Sequence, residues 1–259
     1  ILFAGVKFMA ETAKILAPEK KVLLPDIMAG CSLADSCKAE DFRKFLADNP
    51  GRTVVTYVNT TAEIKALSDI ICTSSNAVQI INSLPVDEKI IFAPDRNLGN
   101  YVLNKTGRDM IIWNGTCHVH EEFSLEAILK LKEIHTDAKV IVHPECELPV
   151  RMIADFIGST SALLNYTRKD DGKSYIVATE PGIIHQMIKE NPGKYYYPAP
   201  PKDSTCGCSE CNFMKLITIE KIYKCLKYEE PEIFVEQDIL LKARKPIERM
   251  LEISAKLGL

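Results

Sequence analysis

The segment "NGTCHVH" (114–120) sets Cys117 between an apolar run and two histidines. Such a cysteine can be a packing residue, a nucleophile or a metal ligand, and its spacing from other cysteines bears on which. Cys31 stands 86 residues before it, and the loop "PAPPKDSTCGCSEC" brings Cys206, Cys208 and Cys211, the last of them 94 residues after it. Each of these cysteines follows an apolar strand-like run. Three thiolates gathered at one point suit a soft metal centre. An iron–sulfur cluster ordinarily takes four cysteines. Three would leave one iron with an open position, the mark of a Lewis-acid site rather than a structural one. Alone, "CGCSEC" also reads as part of a zinc knuckle or a redox pair. Cys72 and Cys225 read as small buried hydrophobes, and Cys37 and Cys146 as spectators.

A second set of polar residues recurs at the same interval. Tyr57 and Asn59 in "VVTYVNTT" match His143 and Glu145 in "KVIVHPEC", each pair 86 apart. Thr73 and Ser74 match Ser159 and Thr160 at the same offset. A Ser or Thr at a helix start binds an anion through its hydroxyl and the first N–H groups, or simply caps the helix. Its recurrence in two copies favours anion binding. His143 and Glu145, two apart on an extended segment, can face one side and act as a general acid/base pair. His120, three residues after Cys117, belongs beside the metal. "PDRNLG" (94–99) reads as a helix entry capped by Asp95.

The elements that must carry these residues are short. "TVVTYV", "DIICT", "EKIIFAP", "DMIIW", "KVIVH" and "SYIVA" are brief β-branched runs separated by helix-like stretches. That pattern predicts buried parallel strands in βα units, whose functional loops lie at the strands' carboxyl ends. The runs repeat at an interval of 85 to 86 residues, with "IFAPDRNLGNYV" answering "IVATEPGIIHQM". Residues 2–31 parallel 91–117, the later half of the same unit. The expected fold is therefore three similar αβα domains with parallel sheets around a pseudo-threefold axis. A partial first repeat spans 1–52, N-terminally incomplete with only its last two strands. The second spans 53–138, the third 139–215, and a C-terminal helical segment 216–259.

The chain has 259 residues, 46% hydrophobic and 26% charged, with net charge −3. This is ordinary globular composition, and without a Lys/Arg run neither nucleic acid nor an anionic membrane is the expected partner. No apolar stretch is long enough to span a bilayer. Nine cysteines with no secretory leader fit a reducing, cytoplasmic compartment.

Several stretches together are specific: "FMAE", "YVNTTAE", "CTSSNA", "PDRNLG", "GTCHVH", "VHPEC", "GST", "ATEPGIIH" and "CSECNFMK". With them the sequence resembles the quinolinate synthase family of NAD biosynthesis, over essentially its whole length. The resemblance implies a central [4Fe–4S] cluster with three cysteine ligands, which look like Cys31, Cys117 and Cys211; the last is chosen by its distance to "NFMK". It implies condensation of iminoaspartate with dihydroxyacetone phosphate to quinolinate, phosphate and water. L-aspartate oxidase or aspartate dehydrogenase would supply the iminoaspartate. Tyr57, Asn59, Ser74, His143, Glu145 and Thr160 look like the substrate pocket, with Glu145, His143 and Tyr57 as its catalytic members. The family also carries an N-terminal His-Asn-Tyr stretch and a pocket Ser that this sequence does not contain. Two other readings remain open: an aconitase-type hydro-lyase, and a non-enzymatic metal-binding scaffold or sensor.

Overall fold

A computed structural model of the chain describes residues 1–203 and 209–259. In chain order the elements are α1 (Lys7–Leu16), α2 (Ser32–Asp35), α3 (Ala39–Asp48), β1 (Thr53–Tyr57), α4 (Ala62–Ala66), β2 (Ile70–Cys72), α5 (Ala77–Asn82), β3 (Ile90–Ala93), α6 (Arg96–Thr106) and β4 (Met110–Ile112). There follow α7 (His118–Glu121), α8 (Leu125–Ile134), β5 (Lys139–Val142), α9 (Leu148–Met152), β6 (Phe156–Ile157), α10 (Thr160–Lys169), β7 (Ser174–Ala178), α11 (Gly182–Glu190), β8 (Tyr195–Pro198), α12 (Ile219–Tyr228) and α13 (Gln237–Lys256). They form two compact units, one of residues 1–115 with 212–259 and one of 116–211. Among the described residues no helix is long and apolar enough to cross a membrane.

Each unit contains a four-stranded parallel sheet, in the orders β2-β1-β3-β4 and β6-β5-β7-β8. The strand order is the same, as the repeat in the sequence predicts. β3 and β7 are buried along their whole length, which is why β3, and β7 after Ser174, read as continuous runs rather than alternating ones. In the second unit Val140, Val142, Ile176 and Ala178 face α8 and α9, while Ile141, Tyr175 and Val177 face α10 and α11. Helices thus cover both faces, and each apolar side chain fully removed from water there contributes about 1.5–3 kcal/mol. In the first unit Phe42 of α3 and Ile64 of α4 cover the face presented by Val54 and Ile91.

Register is fixed by the same device twice. The Asp69 carboxylate accepts from the Val54 N–H at 2.8 Å, and that of Asp155 accepts from the Val140 N–H at 2.7 Å. Both pins grip the start of the central strand, the end away from its carboxyl-terminal loop. Helix entries are capped by side chains. Thr61 accepts from Ile64, Asp95 from Leu98, Ser124 from Ala127 and Ser159 from Ala162. Each satisfies a donor the first turn leaves open. α6 ends on Gly107 at φ 65°, a left-handed position that suits glycine.

Around α1, the two strands expected of the first repeat reduce to a single parallel bridge, Leu2 to Leu23. The segment 22–24 is completed from the far end of the chain. Ile233 N–H donates to Val22 O at 2.8 Å and Leu24 N–H to Pro231 O at 3.2 Å, running antiparallel. The C-terminal segment is therefore helical except where residues 231–233 pair with this edge. α13 lays Leu240, Ala243, Ile247 and Met250 inward against α4 and β2.

Candidate active site

In the second unit, β5 passes directly into the turn that carries His143 and Glu145. His143 N–H donates to Ala178 O at 3.0 Å, extending the pairing with β7, and Cys146 N–H closes the turn onto His143 O at 3.0 Å. Both side chains are almost fully enclosed, 3% exposed for His143 and 2% for Glu145. Glu145 Oε1 lies 3.6 Å from His143 Nδ1, and its Oε2 lies 3.2 Å from His120 Nδ1. His120 comes from α7, which begins immediately after Cys117. Its ring stacks on that of His143 at 4.7 Å between centroids, and its Nε2 meets Thr179 Oγ1 at 3.0 Å. The site thus gathers the carboxyl ends of β5 and β7 and the start of α7.

His143 is held neutral. Burial pushes its pKa down to about 3; Glu145 opposes this and His120 adds to it. The Glu145 N–H donates to His143 Nδ1 at 3.3 Å, which assigns the ring proton to Nε2. His143 therefore presents an N–H donor and no cation near neutral pH. The unfolded chain takes up this proton below its ordinary value of 6.5, whereas the folded chain refuses it down to about 3. Stability is thus fully present above pH 6.5 and is lost as pH falls through that window. Urea unfolding at pH 6.5 and pH 5 should show the wild type losing up to about 2 kcal/mol from this group. His143→Gln should remove that share of the loss; an identical pH slope in the variant would refute the assignment.

Cys117, His120 and Glu145 offer one ligand atom each, all within 4.8 Å of one another. Cys211 packs against the same apolar cluster as Cys117, the one built on Val119, Phe123 and Ala199. Ser159 is spent as the cap of α10, while Thr160, the first residue of that helix, stays half-buried.

In the first unit, Tyr57 closes β1 and is buried, and Asn59 follows in a half-buried loop. Thr73 donates both its N–H and its hydroxyl to Asn76 Oδ1, at 2.7 and 3.0 Å. This leaves Ser74 half-buried in the turn between β2 and α5. Cys31 precedes α2. The end of that helix touches the strand leading toward Cys117: Trp113 Nε1 donates to Ser36 O at 3.2 Å. A side chain at Gly115 would collide with Ser36 Oγ and Pro94 O. Only glycine fits that crossing.

Burial sorts the described cysteines. Cys31, Cys117 and Cys211 are half-buried, whereas Cys37, Cys72, Cys146 and Cys225 are buried. Burial raises the Cys37 thiol to about 12 and drives that of Cys72 far upward. A thiol that cannot ionise is a poor ligand, so Cys37 and Cys72 are ill suited to hold a metal. Cys206 and Cys208 lie outside the described residues.

Comparison with known proteins points the same way. The family model described as "NadA: Quinolinate synthetase A protein" matches residues 1–252. The chain belongs to the quinolinate synthase family. The quinolinate synthase of Synechococcus sp. is 59% identical over 255 residues, 98% of this chain and 80% of that protein. That of Thermosynechococcus vestitus is 59% identical over 254 residues, with the same coverage. The quinolinate synthase of Chloroherpeton thalassium is 57% identical over 254 residues, 98% of this chain and 79% of its own length. Quinolinate synthases are enzymes of NAD biosynthesis, so this is an enzyme family.

Two features of the site are less visible in the sequence. The sequence puts His120 only beside the metal, and its pairing with Glu145 across 25 residues of chain has no local signature. Thr179 lies in "ATEPGIIH" without a separate signal.

Proposed function

We propose that this chain condenses iminoaspartate with dihydroxyacetone phosphate to quinolinate, phosphate and water. The observation that carries the reading is a buried carboxylate, Glu145, between two imidazoles and within reach of Cys117. A dehydrating condensation moves several protons, and a carboxylate shielded from water beside His120 is suited to accept them. Neutral His143 donates a hydrogen bond from Nε2 to a substrate carbonyl or carboxylate. Tyr57 offers a phenolic proton, while the Asn59 amide and the Ser74 and Thr160 hydroxyls hold carboxylate or phosphate.

A [4Fe–4S] cluster would be held by Cys31, Cys117 and Cys211, the thiols that are not sealed in the core. When bound, the cluster supplies a Lewis-acidic iron with an open coordination position. The three-repeat division at 52/53, 138/139 and 215/216, and a cytoplasmic setting in which L-aspartate oxidase or aspartate dehydrogenase supplies iminoaspartate, belong to the same proposal.

Cys117, His120 and Glu145 also form a donor set suited to a single borderline-soft ion such as zinc, which keeps the scaffold or sensor reading in view. Anaerobic purification with iron, sulfide and visible-absorption measurements separates the two. The function is tested by supplying both substrates and measuring quinolinate. Iron and sulfide with quinolinate formed is the expected result. One zinc without sulfide would replace the proposal with the scaffold. Water addition or loss with no new carbon–carbon bond would replace it with the hydro-lyase.

A further inference from the structure

Lys65 lies on α4 with its side chain fully enclosed, 0% exposed. Burying an ammonium is costly unless its donors are met. Its Nζ donates to Val58 O at 2.8 Å and to Thr60 O, and it sits over the Phe8 ring at 5.5 Å from the centroid. Among the described residues no carboxylate comes within ion-pair distance of it. Burial pushes the Lys65 amine down to about 7, while Glu11 and Cys31 nearby favour its charge; the Glu11 carboxylate is itself engaged by the Ala62 N–H at 3.0 Å. A methionine would fill the same space without that desolvation cost, so the charge is ill suited to a purely packing role. The two carbonyls it grips flank a single residue, Asn59. Val58 N–H is meanwhile held by Cys72 O at 2.8 Å, and Thr60 Oγ1 donates to Tyr57 O at 3.2 Å.

We infer that Lys65 is a positioning residue for Asn59: by holding the carbonyls on both sides it fixes the loop, and so aims the half-buried amide into the substrate site. This rests on the reading above in which Asn59 contacts substrate. The ligand classes are those of that reading, a phosphate ester or a dicarboxylate.

The test is a double-mutant cycle in the full-length, iron-loaded protein, read as equilibrium binding of dihydroxyacetone phosphate and of quinolinate. Asn59→Ala first shows which of the two ligands the amide touches. For that ligand, Lys65→Met should weaken binding about tenfold, the scale of losing hydrogen bonds from a charged donor. In the Asn59→Ala background it should change binding less than about twofold, because residues acting through one another are not additive. Lys65→Arg, which keeps the charged donors, should recover most of the loss. If Lys65→Met does not fold, Lys65→Arg runs through the same cycle, with a smaller effect that again vanishes without Asn59. An equal effect in both backgrounds would make Lys65 merely structural and overturn the inference. So would no effect in either. Should Asn59→Ala itself bind both ligands normally, the substrate-site reading fails first, and the positioning role with it.

Discussion

Cys117→Ser, prepared without oxygen from the full-length protein, should carry no iron–sulfur absorption and form no quinolinate. Serine matches cysteine in shape but does not ionise to a soft anion near neutral pH, so the site loses a ligand without losing its fold. Cys31→Ser and Cys211→Ser should behave alike, since three ligands leave no spare. The contrast is Cys225→Ser. Cys225 is the buried residue of α12, with its thiol raised by that burial; the replacement should cost stability and leave iron and sulfide content unchanged. A Cys117→Ser protein with full cluster absorption and wild-type turnover would remove Cys117 from the ligand set.

The second large effect belongs to Glu145. Glu145→Gln keeps the shape and hydrogen-bonding length of the side chain and removes its capacity to take a proton. Turnover should fall at least roughly a hundredfold, the usual scale for losing an acid–base group, while binding of quinolinate stays within a few-fold. Burial supports this expectation over simple surface pairing, because Glu145 sits against His120 and His143 inside the unit. Rapid-quench measurement of product under single-turnover conditions gives the rate directly. Wild-type turnover in this variant would leave Glu145 with a structural part only.

Much of the scaffold was legible before any coordinates. Runs such as "IIFA" and "YIVA" show no alternation with polar residues because both faces of their strands are covered, and the equal spacing of such runs predicts equal strand order. The position of the polar residues was legible for the same reason: side chains straight after a buried strand lie at the carboxyl edge of the sheet. What stayed hidden depends on contacts distant in sequence. Nothing in "CHVH" says which histidine meets Glu145; that follows from the turn of α7 and the stacking on His143. Lys65 was invisible because its enclosure comes from Phe8 and α1, far away along the chain. The edge pairing of 231–233 with 22–24 was missed since three residues between two helices show no strand period.

The aspartate pins at Asp69 and Asp155 have a consequence for how such a unit can diverge. They set pairing from the amino-terminal end of each central strand, while the candidate site residues lie at the opposite end. A copy of the unit can therefore exchange Tyr57 and Asn59 for His143 and Glu145 without disturbing its own hydrogen-bond ladder. Duplication of a sheet built this way yields modules that share one frame and are free to specialise, each bringing different side chains to a common task.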